Sequence, residues 1–184
     1  MSKLDPVPAL SRTDLLAPPV ATFLANWARA DSVRVAEIDP DLADTAAFCE
    51  TYDVGLDISA NCVVVATRRG DVTRYVACIV LATTRADVNG VVRRRLDARK
   101  ASFAAMDDAV ALTGMEYGGI TPLGLPDEWP ILVDRAVVSV TGDVVVGSGV
   151  RRSKILLPGA ALADLPGAEV VDGLATPTSP TLSR

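Results

Sequence analysis

At 184 residues, with 49% hydrophobic and 22% charged side chains, the chain has the balance of a globular protein with one complete core; this excludes extended disorder as its dominant state and leaves no room for two ordinary domains. A formal net charge of −5 excludes broad, non-specific attraction to nucleic acid, an affinity that comes from Lys and Arg neutralising phosphates. There is no histidine, so the usual general base, the usual zinc ligand and every Ser-His or Cys-His pair are absent, and any hydrolysis has to rely on positioning, hydrogen-bond donors and the substrate's own groups.

Residues 1–6 lack the basic region and apolar stretch of a secretory signal. The apolar runs at 62–67 and 76–82 fall far short of the roughly 20 residues of a membrane-spanning helix, so a cytoplasmic protein without a membrane partner is expected. Pro18-Pro19 followed by Val20, Phe23, Leu24 and Trp27 gives apolar positions at i, i+3, i+4 and i+7 behind prolines suited to a first turn, which predicts an amphipathic helix. Residues 33–38 alternate weakly as a strand. Asp39-Pro40 then caps a helix carrying Leu42, Ala46 and Cys49 on one face, with Gly55 just beyond its end. The Val-rich segments 61–67 and 74–82, separated by Arg68-Arg69-Gly70-Asp71, predict a central β-hairpin.

Thr84 and Asp87 resemble a capping box ahead of Val88, Val91, Val92 and Leu96 at helical spacing. The outer face of that helix is basic, with Arg93, Arg94, Arg95, Arg99 and Lys100 following one another. A short helix over 106–113 stops at Gly114. After a Gly/Pro-rich loop at 117–126 come short strands at 130–134, 143–146 and 153–157, then a brief helix near 160–165. From Gly173 onward Thr, Ser and Pro dominate, which predicts a disordered tail over 173–184 behind a single domain spanning 1–172. Cys49, Cys62 and Cys78 form an odd, widely spaced set with no CxxC pair, read as reduced core thiols and not as metal ligands.

Two segments have the composition of a binding site. From Gly114 to Gly124, four glycines and one proline fall within eleven residues. Glycines permit positive φ and close backbone approach while proline stiffens the turn, so the loop presents bare N–H groups to a carbonyl oxygen or a phosphate, or it is a tight structural loop. On the first of these readings a Cβ at Gly119 blocks ligand approach and leaves the fold intact. The second segment, Gly147-Ser148-Gly149-Val150-Arg151-Arg152-Ser153-Lys154, lets a ligand approach small residues beside cations, or is a hairpin turn with a solvated basic edge. The run Arg93-Arg94-Arg95 lacks interleaved aromatics and reads first as a solvated helix face.

The two glycine-rich segments in this order resemble the YbaK/ProX family, which includes free-standing aminoacyl-tRNA deacylases and the editing domain inserted in bacterial prolyl-tRNA synthetases. The resemblance covers about residues 33–171. Gly118-Gly119-Ile120-Thr121-Pro122-Leu123-Gly124 matches the family's GGxxPxG loop, Ile131-Leu132-Val133-Asp134 its hydrophobic strand ending in Asp, and Gly147-Ser148-Gly149 with Arg151 its later glycine-rich turn.

The resemblance implies an α/β fold with a mixed, mainly antiparallel, barrel-like sheet flanked by helices. It also implies editing in trans, the hydrolysis of the ester of mischarged tRNA, with no metal and no organic cofactor. Gly118 and Gly119 are placed at the reacting carbonyl, and Thr121, Pro122, Gly147, Ser148, Gly149 and Arg151 around the substrate. Asn61 stands where the family usually carries a lysine, in a segment like VKTL aligned with Ala60-Asn61-Cys62-Val63; its amide still donates hydrogen bonds, without charge and with a shorter reach. Asp134 is expected as a structural hydrogen-bond acceptor. The implied partners are the aminoacylated acceptor end of tRNA and an aminoacyl-tRNA synthetase. The alternative is a noncatalytic module that binds an aminoacyl-adenosine-like ligand or docks on a synthetase.

Overall fold

The structure, a computed structural model, describes residues 2–178. A two-residue strand, β1 (Val7–Pro8), leads to helix α1 (Pro18–Asn26). The two prolines occupy its first turn, where a missing N–H costs nothing, and Val20 and Leu24, one turn apart, are fully buried. Strand β2 (Arg34–Glu37) follows. The helix expected from Pro40 is split in two. Asp39 Oδ1 accepts from the Asp41 N–H at 2.9 Å and caps a single 3-10 turn, Pro40–Leu42, while α2 (Thr45–Tyr52) starts only after Asp44. That break turns Phe48 and Cys49 inward and leaves Ala46 exposed.

Strands β3 (Ala60–Arg69) and β4 (Val72–Leu81) form the predicted hairpin, pairing from Ala60↔Leu81 to Arg69↔Val72. Gly70 turns the chain at φ +61°, a left-handed value that glycine adopts without a Cβ penalty. Thr84 belongs to strand β5 (Thr84–Ala86) and is not a cap; its hydroxyl donates to Leu81 O, and Asp87 alone caps the next turn by accepting from the Gly90 N–H at 2.8 Å. A wide helical turn, Val88–Val92, runs into the short α3 (Arg93–Arg95). Lys100 leaves the expected basic helix face to begin strand β6 (Lys100–Phe103). Helix α4 (Met106–Thr113) stops at Gly114, φ +66°. Strand β7 (Ile131–Asp134), helix α5 (Arg135–Val138) and strands β8 (Asp143–Gly147), β9 (Ser153–Pro158), β10 (Ala168–Val171) and β11 (Ala175–Pro177) complete the described chain. The helix expected near 160–165 is a 3-10 segment, Gly159–Asp164.

Two larger sheets result. One has the order β1-β2-β9-β8 and is antiparallel throughout; the other has the order β10-β7-β4-β3-β6, with β7 parallel to both of its neighbours. A bridge between Ser59 and Val145 connects them at one corner. The architecture is the mixed, mainly antiparallel α/β fold that the sequence implied, although the sheets do not close into a barrel.

Strand β4 divides the core. Ala77, Ile79 and Leu81 face a cluster shared with α1 and the first sheet, where Val20, Leu24, Val35 and Ile155 pack, whereas Val76, Cys78 and Val80 face a second cluster with Val88, Val92, Leu132 and Leu174. Burial on both faces is why this strand reads as an unbroken apolar run, without the alternation of a half-exposed one.

The tail expected to be disordered from Gly173 is instead anchored over its described part. Leu174 is fully buried, β11 pairs antiparallel with β5, and the Ala175 N–H donates to Asp134 Oδ2 at 2.8 Å. One buried leucine and one backbone donor outweigh a polar composition, because a paired segment needs few apolar contacts of its own. Residues 179–184 of that expectation lie outside the described residues. Among the described residues no helix is long and apolar enough to cross a membrane.

Candidate functional site

A cavity of about 350 Å³ opens at the corner where the Ser59–Val145 bridge joins the two sheets. Its walls come from the start of β3, the head of α2, the loop at Tyr117 and Gly118, the end of β8, and Lys154 of β9. Sequence-distant segments meet here for a simple reason. The Val145 N–H donates to Ile58 O at 2.8 Å and draws the end of β8 against the beginning of β3.

Asn61 lines this cavity from β3. The Thr45 hydroxyl donates to Asn61 Oδ1 at 2.9 Å, which fixes the amide with its Nδ2 as the free end; among the described residues nothing accepts from that nitrogen. An uncharged donor pair is thus held in place at the position where the family resemblance implies a lysine.

The two glycine-rich segments pack against each other as one unit. The Gly149 N–H donates to Gly119 O at 2.7 Å, the Glu116 N–H to Gly149 O at 2.8 Å, and the Arg151 N–H to Glu116 Oε2 at 2.6 Å. This contact, more than ligand approach, explains several of the glycines. A Cβ at Gly119 would lie 2.7 Å from the carbonyl carbon of Val150, and one at Gly147 would collide with the carbonyl oxygen of Gly119. A Cβ at Gly119 would therefore strain the contact between the two loops, whatever it did to ligand approach. The Gly119 N–H is not bare, since it donates to Glu116 O at 3.0 Å. Gly118 differs: it lines the cavity at φ +82°, and its N–H meets no acceptor among the described residues.

Arg151 ties together two residues of the cavity wall, Asp44 and Tyr117. Its Nη1 lies 3.3 Å from Asp44 Oδ1 and 3.4 Å from Tyr117 O, and its Nε donates to Pro40 O at 3.2 Å. The guanidinium fills the space a Cβ at Gly118 would need, so the glycine and the arginine are matched to each other.

Of the substrate-binding residues that the resemblance implies, Gly147 lies on the cavity wall and Arg151 contacts two residues of that wall. The others stand behind it. Thr121 is fully buried, and its hydroxyl has no hydrogen-bond partner among the described residues. Pro122 is buried beside it. Ser148 is fully buried, with its Oγ 2.7 Å from Ser153 Oγ. Gly149, at φ +86°, packs on the segment leading into α1, where a Cβ would strike that of Ala17. Asp134 is the structural acceptor that was expected: its carboxylate takes the N–H groups of Ala136 and Ala175, each at 2.8 Å.

Lys154 belongs to the cavity although sequence reading grouped it with Arg151 and Arg152 as part of a basic edge. It is only 8% exposed, donates from Nζ to Ala43 O at 2.8 Å, and sits 5.1 Å from the Phe48 ring centre. Burial lowers its pKa below the ordinary lysine value of 10.5. The signal that distinguishes it is positional, an ionisable residue one step inside a strand whose next residues are Ile155, Leu156 and Leu157. Cys62 also lines the wall, and burial pushes its thiol well above the usual range, so it stays protonated and is a poor nucleophile. Among the described residues no group of three or more His, Cys, Asp or Glu could hold a metal ion. The run Arg93-Arg94-Arg95 contributes nothing to this cavity's wall, and Arg95 pairs with Glu169.

No curated protein matches the sequence. Among solved structures, the chain is similar to a protein proposed to be a trans-editing enzyme for prolyl tRNA synthetase, at 20% identity and a TM-score of 0.71, covering 85% of this chain and 94% of that one. It is similar to the hypothetical protein APE2540 at 20% identity and a TM-score of 0.73, covering 86% and 99% of the two chains. A protein of Marinobacter aquaeolei VT8 proposed to act in signal transduction shares the fold over 86% of this chain but only 30% of its own, at 16% identity and a TM-score of 0.57. These likenesses establish the fold. The model of the aminoacyl-tRNA editing domain matches residues 39–165, a span that holds Asn61, both glycine segments and the cavity they enclose, and the chain belongs to that family.

Proposed function

We propose that the protein edits aminoacyl-tRNA in trans by hydrolysing the ester between a wrong amino acid and the terminal ribose of tRNA. The observation that carries this reading is the donor arrangement in the cavity: the Asn61 amide, oriented by Thr45, and the unengaged N–H of Gly118 both border it. Donors held in place before reaction stabilise a carbonyl oxygen as it becomes negative, each being worth roughly a hundred- to a thousandfold in rate.

In the reaction a water oxygen adds to the ester carbonyl carbon and the π electrons move onto the carbonyl oxygen. When the adduct collapses, the bond from carbon to the ribose oxygen breaks, and the proton given up by water ends on that oxygen. With no histidine in the chain, the neighbouring ribose hydroxyl is the group suited to relay this proton. The ester is already activated, so positioning carries much of the catalysis. The partner is the aminoacylated acceptor end of tRNA, met alone or beside a synthetase.

A screen of deacylation over mischarged tRNAs, with alanine, serine and cysteine first, tests the proposal. Release of free amino acid above the spontaneous rate is expected for at least one pairing. Saturable binding of an aminoacyl-adenosine analogue without turnover of any substrate would select a noncatalytic binding module instead. The uncharged Asn61 is the feature that favours that second reading.

A further inference from the structure

The cavity wall holds one cation, and its contacts with the protein engage only part of its donor capacity. Lys154 lies in the middle strand pair of the first sheet, opposite Ala36 of β2 and Gly147 of β8, and is the one positively charged residue on the cavity wall. An apolar side chain at this point would extend the packing of Phe48 and Cys49 without the cost of burying an ammonium. Its Nζ has three donors, of which Ala43 O takes one; among the described residues no second acceptor is present for the rest. The Phe48 ring packs against it at 5.1 Å, and Lys154 and Asn61 line the same cavity.

We propose that Lys154 is a catalytic residue of this site, donating from its ammonium to the carbonyl oxygen of the aminoacyl ester together with the Asn61 amide. The inference rests on the editing reading above and names a part of its machinery. The positive charge that opposes the developing oxyanion then comes from β9, and the uncharged donor from β3, both on the wall of one cavity. Cys49, Asp44 and Arg151 are the ionisable groups that act on it; Cys49 is buried and protonated, while Asp44 and Arg151 pair with each other. The bonds made and broken are those of the hydrolysis already described, and Lys154 ends each cycle as it began, protonated.

Wild type, Lys154→Met and Lys154→Arg are compared in single-turnover deacylation of mischarged tRNA from mildly acidic to alkaline pH, corrected for spontaneous hydrolysis. Melting temperature and affinity for an aminoacyl-adenosine analogue with an amide in place of the ester are measured alongside. Lys154→Met is expected to lose about a hundred- to a thousandfold in rate while affinity for the analogue changes by less than about tenfold, since the donation strengthens in the transition state. Lys154→Arg is expected to recover part of the rate.

Wild-type activity is expected to fall at alkaline pH as the ammonium is lost, and Lys154→Met is expected to lack that limb. An unchanged rate in folded Lys154→Met overturns the inference and leaves the editing reading intact. No turnover by wild type overturns both. If Lys154→Met does not fold, the wild-type profile decides: activity that holds or rises at alkaline pH overturns the assignment.

Discussion

The hydroxyl of Thr45 and the side-chain oxygen of Asn61, 2.9 Å apart, decide which end of the Asn61 amide faces the cavity. Thr45 heads α2 and Asn61 is the second residue of β3, so the orientation of one donor depends on the packing of a helix against a sheet. Thr45→Val is expected to lower deacylation by freeing the amide to rotate, with a stability cost of only about 1 kcal/mol. Asn61→Ala should lose about a hundred- to a thousandfold in turnover with a near-native melting temperature. Rates equal to wild type in both variants would remove Asn61 from the reaction.

Gly119→Ala and Gly147→Ala are expected to destabilise the protein by about 1 to 3 kcal/mol each, because each Cβ meets backbone atoms of the partner loop that cannot swing aside. Gly142→Ala offers a contrast, for its φ is +91° and nothing lies within 4 Å of its Cβ; the loss there is backbone strain alone, about 1 to 2 kcal/mol, and activity should persist. Thermal unfolding compared with activity of the folded fraction checks this.

Thr121→Val should be neutral or stabilising by about 1 kcal/mol, since it replaces a buried hydroxyl that has no partner among the described residues with a methyl of similar size. Deacylation should be unchanged. A large loss of turnover with retained stability would instead restore Thr121 to the substrate's surroundings.

Stability should respond to Lys154 with a definite sign. Its folded pKa lies below 10.5, so at pH values between the two the unfolded chain binds a proton that the native state does not. Stability therefore rises with pH through that window and is flat, on this account, below the folded pKa. Denaturant titrations from neutral to alkaline pH should show the rise in wild type and not in Lys154→Met.

Much of this fold was legible because its signals are local. The prolines before Val20, the glycine after Thr113 and the Val-rich hairpin each carry their own explanation in a few residues. The glycine segments were legible as a site, yet their details were not. Gly119 and Gly149 look like bare backbone in sequence, yet the Gly119 N–H is spent on Glu116 O in a turn of its own loop and the Gly149 N–H on Gly119 O where the two loops pack. Ser148 was misread for the same reason, its partner Ser153 being a matter of turn geometry. Lys154 was hidden by Arg151 and Arg152, which share its charge but not its burial. The break between Pro40–Leu42 and α2 escaped because periodicity cannot distinguish a continuous helix from two offset turns.

The contact between Asp134 and Ala175 extends the folded unit past the point where composition says it ends. A protein cut after Asp172 would lose the side chain of Leu174 from beneath the second core cluster, leave β5 without its partner strand, and strip one of two donors from a nearly buried carboxylate at the end of β7. The segment around Leu174 and β11 thus behaves as a clasp on the far side of the central sheet, and a protease that trims it would report on the cohesion of β4 and β7 more directly than on any loop at the cavity.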